Sequence, residues 1–245
     1  MMDTIRPMAA LLLAAGMALA GWLVGQGFER ARTGDRYVTV KGVSERDVKA
    51  DLAIWPLRLS VANDDLAKAH AEIQRSVEKI REFLSGHGLD PASALVQGFS
   101  VRDANADPYR PQHAVGSRFV INETLVVRSS EPDKIAAATE KVGELVEAGV
   151  VLSSGGNDYR SGGATYIFSG LNEIKPEMIA EATARAREGA EQFARDSRSR
   201  VGAIRRASQG TFEILPRDRV PGASEDVQLA KTVRVVSTVD YLLED

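Results

Sequence analysis

Hydrophobic and polar positions follow three different rhythms along this chain. The first is an unbroken apolar run from Met8 to Val24 (MAALLLAAGMALAGWLV), and the uncharged text continues to Phe28, between Arg6 and Glu29-Arg30. At about 1.5 Å per residue, a helix of that length reaches about 26 to 31 Å, the thickness of a bilayer's hydrocarbon core. The pattern therefore predicts one N-terminal transmembrane helix. Ala18-Leu19-Ala20 is also an A-x-A pattern at which a signal peptidase could cut before Gly21. Two readings stand, a retained membrane anchor or a cleaved signal segment. Trp22, Leu23, Val24 and Phe28 stay apolar beyond the cut and favour the anchor.

After a polar linker, residues 29–36, the text switches to period two. Tyr37 to Val43 reads as a strand, and Asp51 to Val61 as the clearest one, with Ala53, Trp55, Leu57, Leu59 and Val61 on one face. Pro56 lacks a ladder donor, so this strand is expected at a sheet edge or with a bulge. Strands are also predicted over Ala94 to Arg102, Arg118 to Arg128, Val150 to Leu152, Ala164 to Ser169, Arg205 to Leu215 and Leu229 to Leu243. In the fourth of these eight, Glu123 falls on the apolar face with Phe119, Ile121, Leu125 and Val127, where it is the odd residue.

Between the strands, period 3.6 takes over. Asn63-Asp64-Asp65 supplies a cap for a helix to about Ser85, with Leu66, His70, Ile73, Val77, Ile80 and Leu84 on one face. A second helix is expected from Pro132 to Ala148, and a third from the strand at Ala164 to Ser169 to near Gly202. The third bears a stripe of Met178, Ala182, Ala186, Ala190, Phe193 and Val201, and expected exposed pairs join Glu181 to Arg185 and Glu191 to Arg195.

The order strand, helix, strand, Pro-rich loop, strand describes Asp51 to Arg128 and again Ala164 to Leu243. The expected fold is α+β, with mixed, mostly antiparallel sheets, three helices and two pseudo-repeated β-α-β-β units after the transmembrane helix. Three segments result: 1–28, anchor or signal; 29–36, linker; 37–245, one interlocked domain.

Composition narrows the chemistry. With 44% hydrophobic and 27% charged residues the 245-residue chain is ordinary for a globular protein. It has no Cys, which removes disulfides, thiolate nucleophiles and sulfur-ligated metals. A formal charge of -3 offers no cationic excess for phosphates, so no nucleic-acid partner is expected.

The three histidines lie in none of the helix-borne zinc spacings. His70, in the seam of the first helix after the anchor, reads as a partly buried residue bonded to a neighbour rather than as a ligand or base. His87 between two glycines reads as a helix-stop turn. His113 lies in a loop with no nucleophile elbow to serve. Gly155-Gly156 and Gly162-Gly163 lack the lysine of a phosphate loop and read as flexible turns. Asp103 and Asp107 lack calcium-loop spacing and read as turn formers. No catalytic, cofactor-binding or metal-binding residue is assigned, and no enzyme activity is expected.

The order of elements resembles the SIMPL-domain family, whose bacterial members include the 26 kDa periplasmic immunogenic and oxidative-stress-defence proteins. Val38-Thr39-Val40-Lys41-Gly42 resembles the family's opening V-x-V-x-G. Val48-Lys49-Ala50-Asp51 resembles its V-x-P-D turn, with alanine in the proline's place. Arg118 to Arg128 followed by Asp133-Lys134-Ile135 is similar to the central strand and helix entry, and Ala182, Ala186 and Ala190 through Gly202 to the Ala-rich helix and its stop. The similarity runs from about residue 37 to 243, with Ser153 to Gly163 longer than usual.

The resemblance implies a periplasmic or secreted α/β domain, homo-oligomeric in some members and without established catalytic residues. It places the C-terminal domain in the periplasm behind a single inner-membrane span, or as a soluble periplasmic protein if the leader is cut. Arg30, Arg32 and Arg36 after the span, against Arg6 alone before it, point the other way. The expected role is non-enzymatic and oligomer-forming, in stress protection or envelope integrity, with a periplasmic small-molecule-binding module as the alternative.

Overall fold

The computed structural model describes residues 14–26, 36–106, 116–153, 163–221 and 224–245. Its strands are β1 (Tyr37–Lys49), β2 (Leu52–Asn63), β3 (Ala94–Asp103), β4 (Phe119–Ser129), β5 (Thr165–Ile167), β6 (Arg200–Gln209), β7 (Glu213–Pro216) and β8 (Ala230–Glu244). Its helices are α1 (14–26), α2 (Leu66–Gly86), α3 (Pro132–Glu140), α4 (Gly143–Glu147) and α5 (Leu171–Asp196). One sheet has the order β1-β8-β6 with β7 also pairing β8; the other has the order β3-β4-β2-β5. The mixed α/β, antiparallel character agrees with the expectation.

Two parts of the expected fold class are corrected. Among the described residues the helices number five, α1 and four more where three were expected after the N-terminal one, and none is long and apolar enough to cross a membrane. The thirteen described residues of α1 reach about 20 Å, short of a hydrocarbon core of about 30 Å. Residues 8–13 and 27–28 of the expected span, and residues 29–35 of the linker, lie outside the described residues. The expected second helix is divided because Lys141, Val142, Glu144 and Leu145 donate to carbonyls three residues back. These are tight-turn bonds at the point where Gly143 weakens helix propensity.

The chain forms two compact units, Met1–Ser44 with Glu177–Thr211 and Val235–Asp245, and Glu45–Pro176 with Phe212–Arg234. In the second, α2 lies on β2 and β4. Asp65 caps it by accepting from the amides of Ala67 and Lys68. Ile73, Val77, Ile80 and Leu84 then bury against Trp55, Leu57, Leu59, Ile121 and Leu125, with Trp55 meeting Phe83 edge to face at 6.3 Å. β2 is an inner strand in unbroken register with β4, neither the edge nor the bulged strand expected. β5 pairs it only at Leu52–Ile54 and Leu152 bridges it only at Leu59, so Pro56 falls in the interval between the two, where a missing donor is tolerated. The expected Val150 to Leu152 strand is reduced to that bridge.

In the first unit, α5 lies on β1 and β8, burying Ala186 and Ala190 against Val38, Val239 and Tyr241. The alanine stripe permits an unusually close approach: a Cβ on Gly42 would stand 1.8 Å from the carbonyl oxygen of Ala182. Phe193, expected on the stripe, is exposed, and Ala194 takes its place. The helix stops at Asp196, before the expected Gly202. Ser199 donates to the Ala194 carbonyl, and Arg198 takes the left-handed conformation (φ 55°) usually given to glycine. Arg185 pairs Glu181 as expected, whereas Glu191 pairs Arg187 at 3.2 Å.

The internal repeat survives with a different first strand. α2 serves the order β3-β4-β2, and α5 serves β6-β8-β1, so β1 occupies the place expected for Ala164 to Ser169. That segment, β5, pairs β2 instead. The expected strand over Arg205 to Leu215 is divided into β6 and β7.

Candidate functional site

The helix-bearing face of the β3-β4-β2-β5 sheet is covered unevenly. On β2 and β4 the inward side chains from Ala53 to Leu59 and from Ile121 to Val127 are buried, but β3 terminates the sheet, and among the described residues no strand pairs its outer edge. Its Leu95 is 62% exposed, and Val96, Phe99 and Val101 are 53%, 53% and 46% exposed. The register places Val96 beside Leu125, Phe99 beside Glu123 and Val101 beside Ile121, so these three share the inward face. Leu95 points to the other. A bulge at Gln97 separates Val96 from the regular stretch that begins at Gly98. An unpaired edge carrying exposed apolar side chains is a template for another strand.

Glu123 stands at the inner margin of this edge, 3% exposed between Ile121 and Leu125 and opposite Leu59 of β2. Its Oε2 has no hydrogen-bond partner. Burial pushes its carboxyl above the usual carboxylate range, partly opposed by the charges of His70 and Arg81 on α2. A buried carboxyl of this kind is one element of acid–base chemistry, but a nucleophile or second carboxylate is needed beside it.

Among the described residues, those weighed from the sequence are not brought together. His70 is exposed; the buried seam of α2 runs through Ala69 and Ile73 instead. His87 does end α2, donating its amide to Phe83 and Leu84, and its ring meets Glu144 at 3.0 Å and packs on Phe83. Asp103 accepts from the Asn105 amide and pairs with Arg118 at 3.0 Å, a turn and an ion pair. His113, Asp107, Gly155, Gly156 and Gly162 lie outside the described residues, and a Cβ on Gly163 would stand in open space. No group of three metal-ligating side chains occurs among the described residues.

One groove of about 320 Å³ runs between α2 and β2, lined in part by Ser60, Glu72, Arg75, Ser76 and Lys79. Its polar groups already have structural bonds. Lys79 donates to the Ala148 carbonyl at the end of α4, Arg75 to Ala71, and Glu72 accepts from Asn63.

The sequence pattern marked Glu123 as anomalous but did not mark β3 as an edge. Leu95 and Val96 are consecutive and apolar, which in a strand suggests burial on both faces. Only the strand order reveals the reverse.

The family model SIMPL, described as a protein of unknown function (DUF541), matches residues 38–241. The chain therefore belongs to the SIMPL-domain family. No curated protein matches it.

Proposed function

We propose that this SIMPL-domain protein is a non-enzymatic, extracytoplasmic domain that acts by self-association, in stress protection or envelope integrity. The exposed apolar edge of β3 is the observation that carries the reading. A sheet edge of this kind costs solubility unless a partner covers it. Among the described residues, His70 and His87 lie near opposite ends of α2 and Glu123 is the one buried carboxyl, which supports a role without catalysis. With the spanning helix withdrawn, localisation is assigned to the other reading of the N-terminus, an export leader cut after Ala20. The uncharged run before that cut, Met8 to Ala20, suits the length of a leader's core.

Light scattering on the purified protein tests the assembly: a mass at least twice that of one chain is expected, and one chain at high concentration overturns it. Intact mass of the native protein tests the leader: a chain beginning at Gly21 is expected, and one retaining Met1 refutes cleavage. The groove at Arg75 and Lys79 favours the small-molecule alternative less, because its cations and acid are already bonded within the fold. Metabolite-dependent thermal shifts abolished by Arg75→Ala would restore it.

A further inference from the structure

We infer that the partner of β3 is β3 of a second copy, paired antiparallel about a two-fold axis through Ser100; this rests on the self-association proposed above. A two-fold axis normal to the sheet keeps each face on its own side, so opposed residues must share a face. On β3 past the bulge, Phe99, Val101 and Asp103 share the α2 face, while Gly98, Ser100 and Arg102 share the other. Registers that oppose an odd residue to an even one are therefore forbidden.

Of the permitted registers, the one centred on Ser100 sets Phe99 against the partner's Val101 and Val101 against the partner's Phe99. Two aromatic–β-branched pairs form on one face, a favourable cross-strand combination. On the other face Gly98 opposes Arg102, leaving room for the long side chain, and the small Ser100 meets its own copy. The next register, centred on Val101, sets Phe99 against Asp103, whose carboxylate is occupied by Arg118 and the Asn105 amide. Centring on Phe99 instead brings the bulged Gln97 against Val101. The Ser100 register is thus the one in which the regular stretch Gly98 to Arg102 is self-complementary. The result is a continuous eight-stranded sheet, four strands from each copy, with both α2 helices on the same face.

The chain has no Cys, so a single introduced thiol reports one position without interference. Ser100→Cys in the full chain, mildly oxidised, is expected to give a covalent dimer in high yield, since opposed Cα atoms in an antiparallel pair lie about 4.5–5.5 Å apart, within the span of a disulfide. Ser208→Cys, exposed on the edge strand β6, is the control and is expected to stay largely uncrosslinked. A multimer by light scattering in which Ser100→Cys fails to crosslink, or Ser208→Cys does so as well, overturns the β3 pairing and leaves self-association standing. A protein monomeric by light scattering, with neither thiol crosslinked, removes both. If oxidation yield is in question, a spin label at position 100 gives the same decision: a short inter-copy distance is expected, and its absence in a multimer refutes the register.

Discussion

Two carboxylates with opposite environments carry the residue-scale account. At Asp51, burial pushes the pKa up, but bonds from the Ser169 amide and hydroxyl and the Gly170 amide outweigh it, and the group lies below its ordinary 3.8. A lowered folded pKa stabilises the fold above the unfolded value and loses that contribution as pH falls through the folded one. Asp51→Asn should cost about 1–3 kcal/mol at neutral pH, the scale of lost charge-assisted bonds, and less in acid. Urea midpoints at several pH values measure it. Glu123 has the reverse sign. Its raised folded pKa makes the fold most stable below the unfolded value near 4.5, and stability falls as pH rises from there through the folded value. Glu123→Gln should therefore raise the melting temperature at neutral pH and lose that advantage toward pH 4; a pH-independent difference contradicts it. The family-like turn at Val48 to Asp51 was legible in the sequence, but the partners of Asp51, more than a hundred residues away, were not.

Elements whose periodicity was dense were legible to within a few residues. α2 has its cap at Asp65 and its seam through Ile73, Val77, Ile80 and Leu84 as the spacing predicts. Where the sequence misled, a local signal had two uses. Gly202 reads as a helix stop, yet α5 ends six residues earlier because Arg198 accepts the left-handed geometry. His70 sits at helical spacing from Ile73 and Ile80, yet a small rotation of the helix buries Ala69 instead. The alanine stripe of α5 was legible as a close-packing face; that its contact is Gly42 was not, because the two lie 140 residues apart. Gly42→Ala forces backbone against backbone and should cost about 3 kcal/mol, at the upper end of ordinary overpacking. Denaturant midpoints read this directly, and a loss below about 1 kcal/mol would show that α5 can withdraw from β1.

At the scale of the whole molecule, sheet order decides what pattern cannot. Each sheet carries a helix, α5 on β1 and β8 and α2 on the inner pair β2 and β4, but β3 is left with apolar side chains in solvent. The strand's existence was readable from its alternation, whereas its outer position depends on β4 pairing β2 along its full length. The fold class was correct in its antiparallel α/β character and wrong in the spanning helix, because the described part of the apolar N-terminal run is shorter than a bilayer core. Self-association through β3 predicts that Phe99→Lys, a change at an exposed site worth within about 0.5 kcal/mol to the single folded chain, abolishes assembly while the chain stays folded, and removes the concentration dependence of the melting temperature. Sedimentation of wild type and Phe99→Lys over a hundredfold range of concentration is the most direct measurement. The account predicts a multimer for the wild type and a single chain for the variant; equal masses for the two would contradict it.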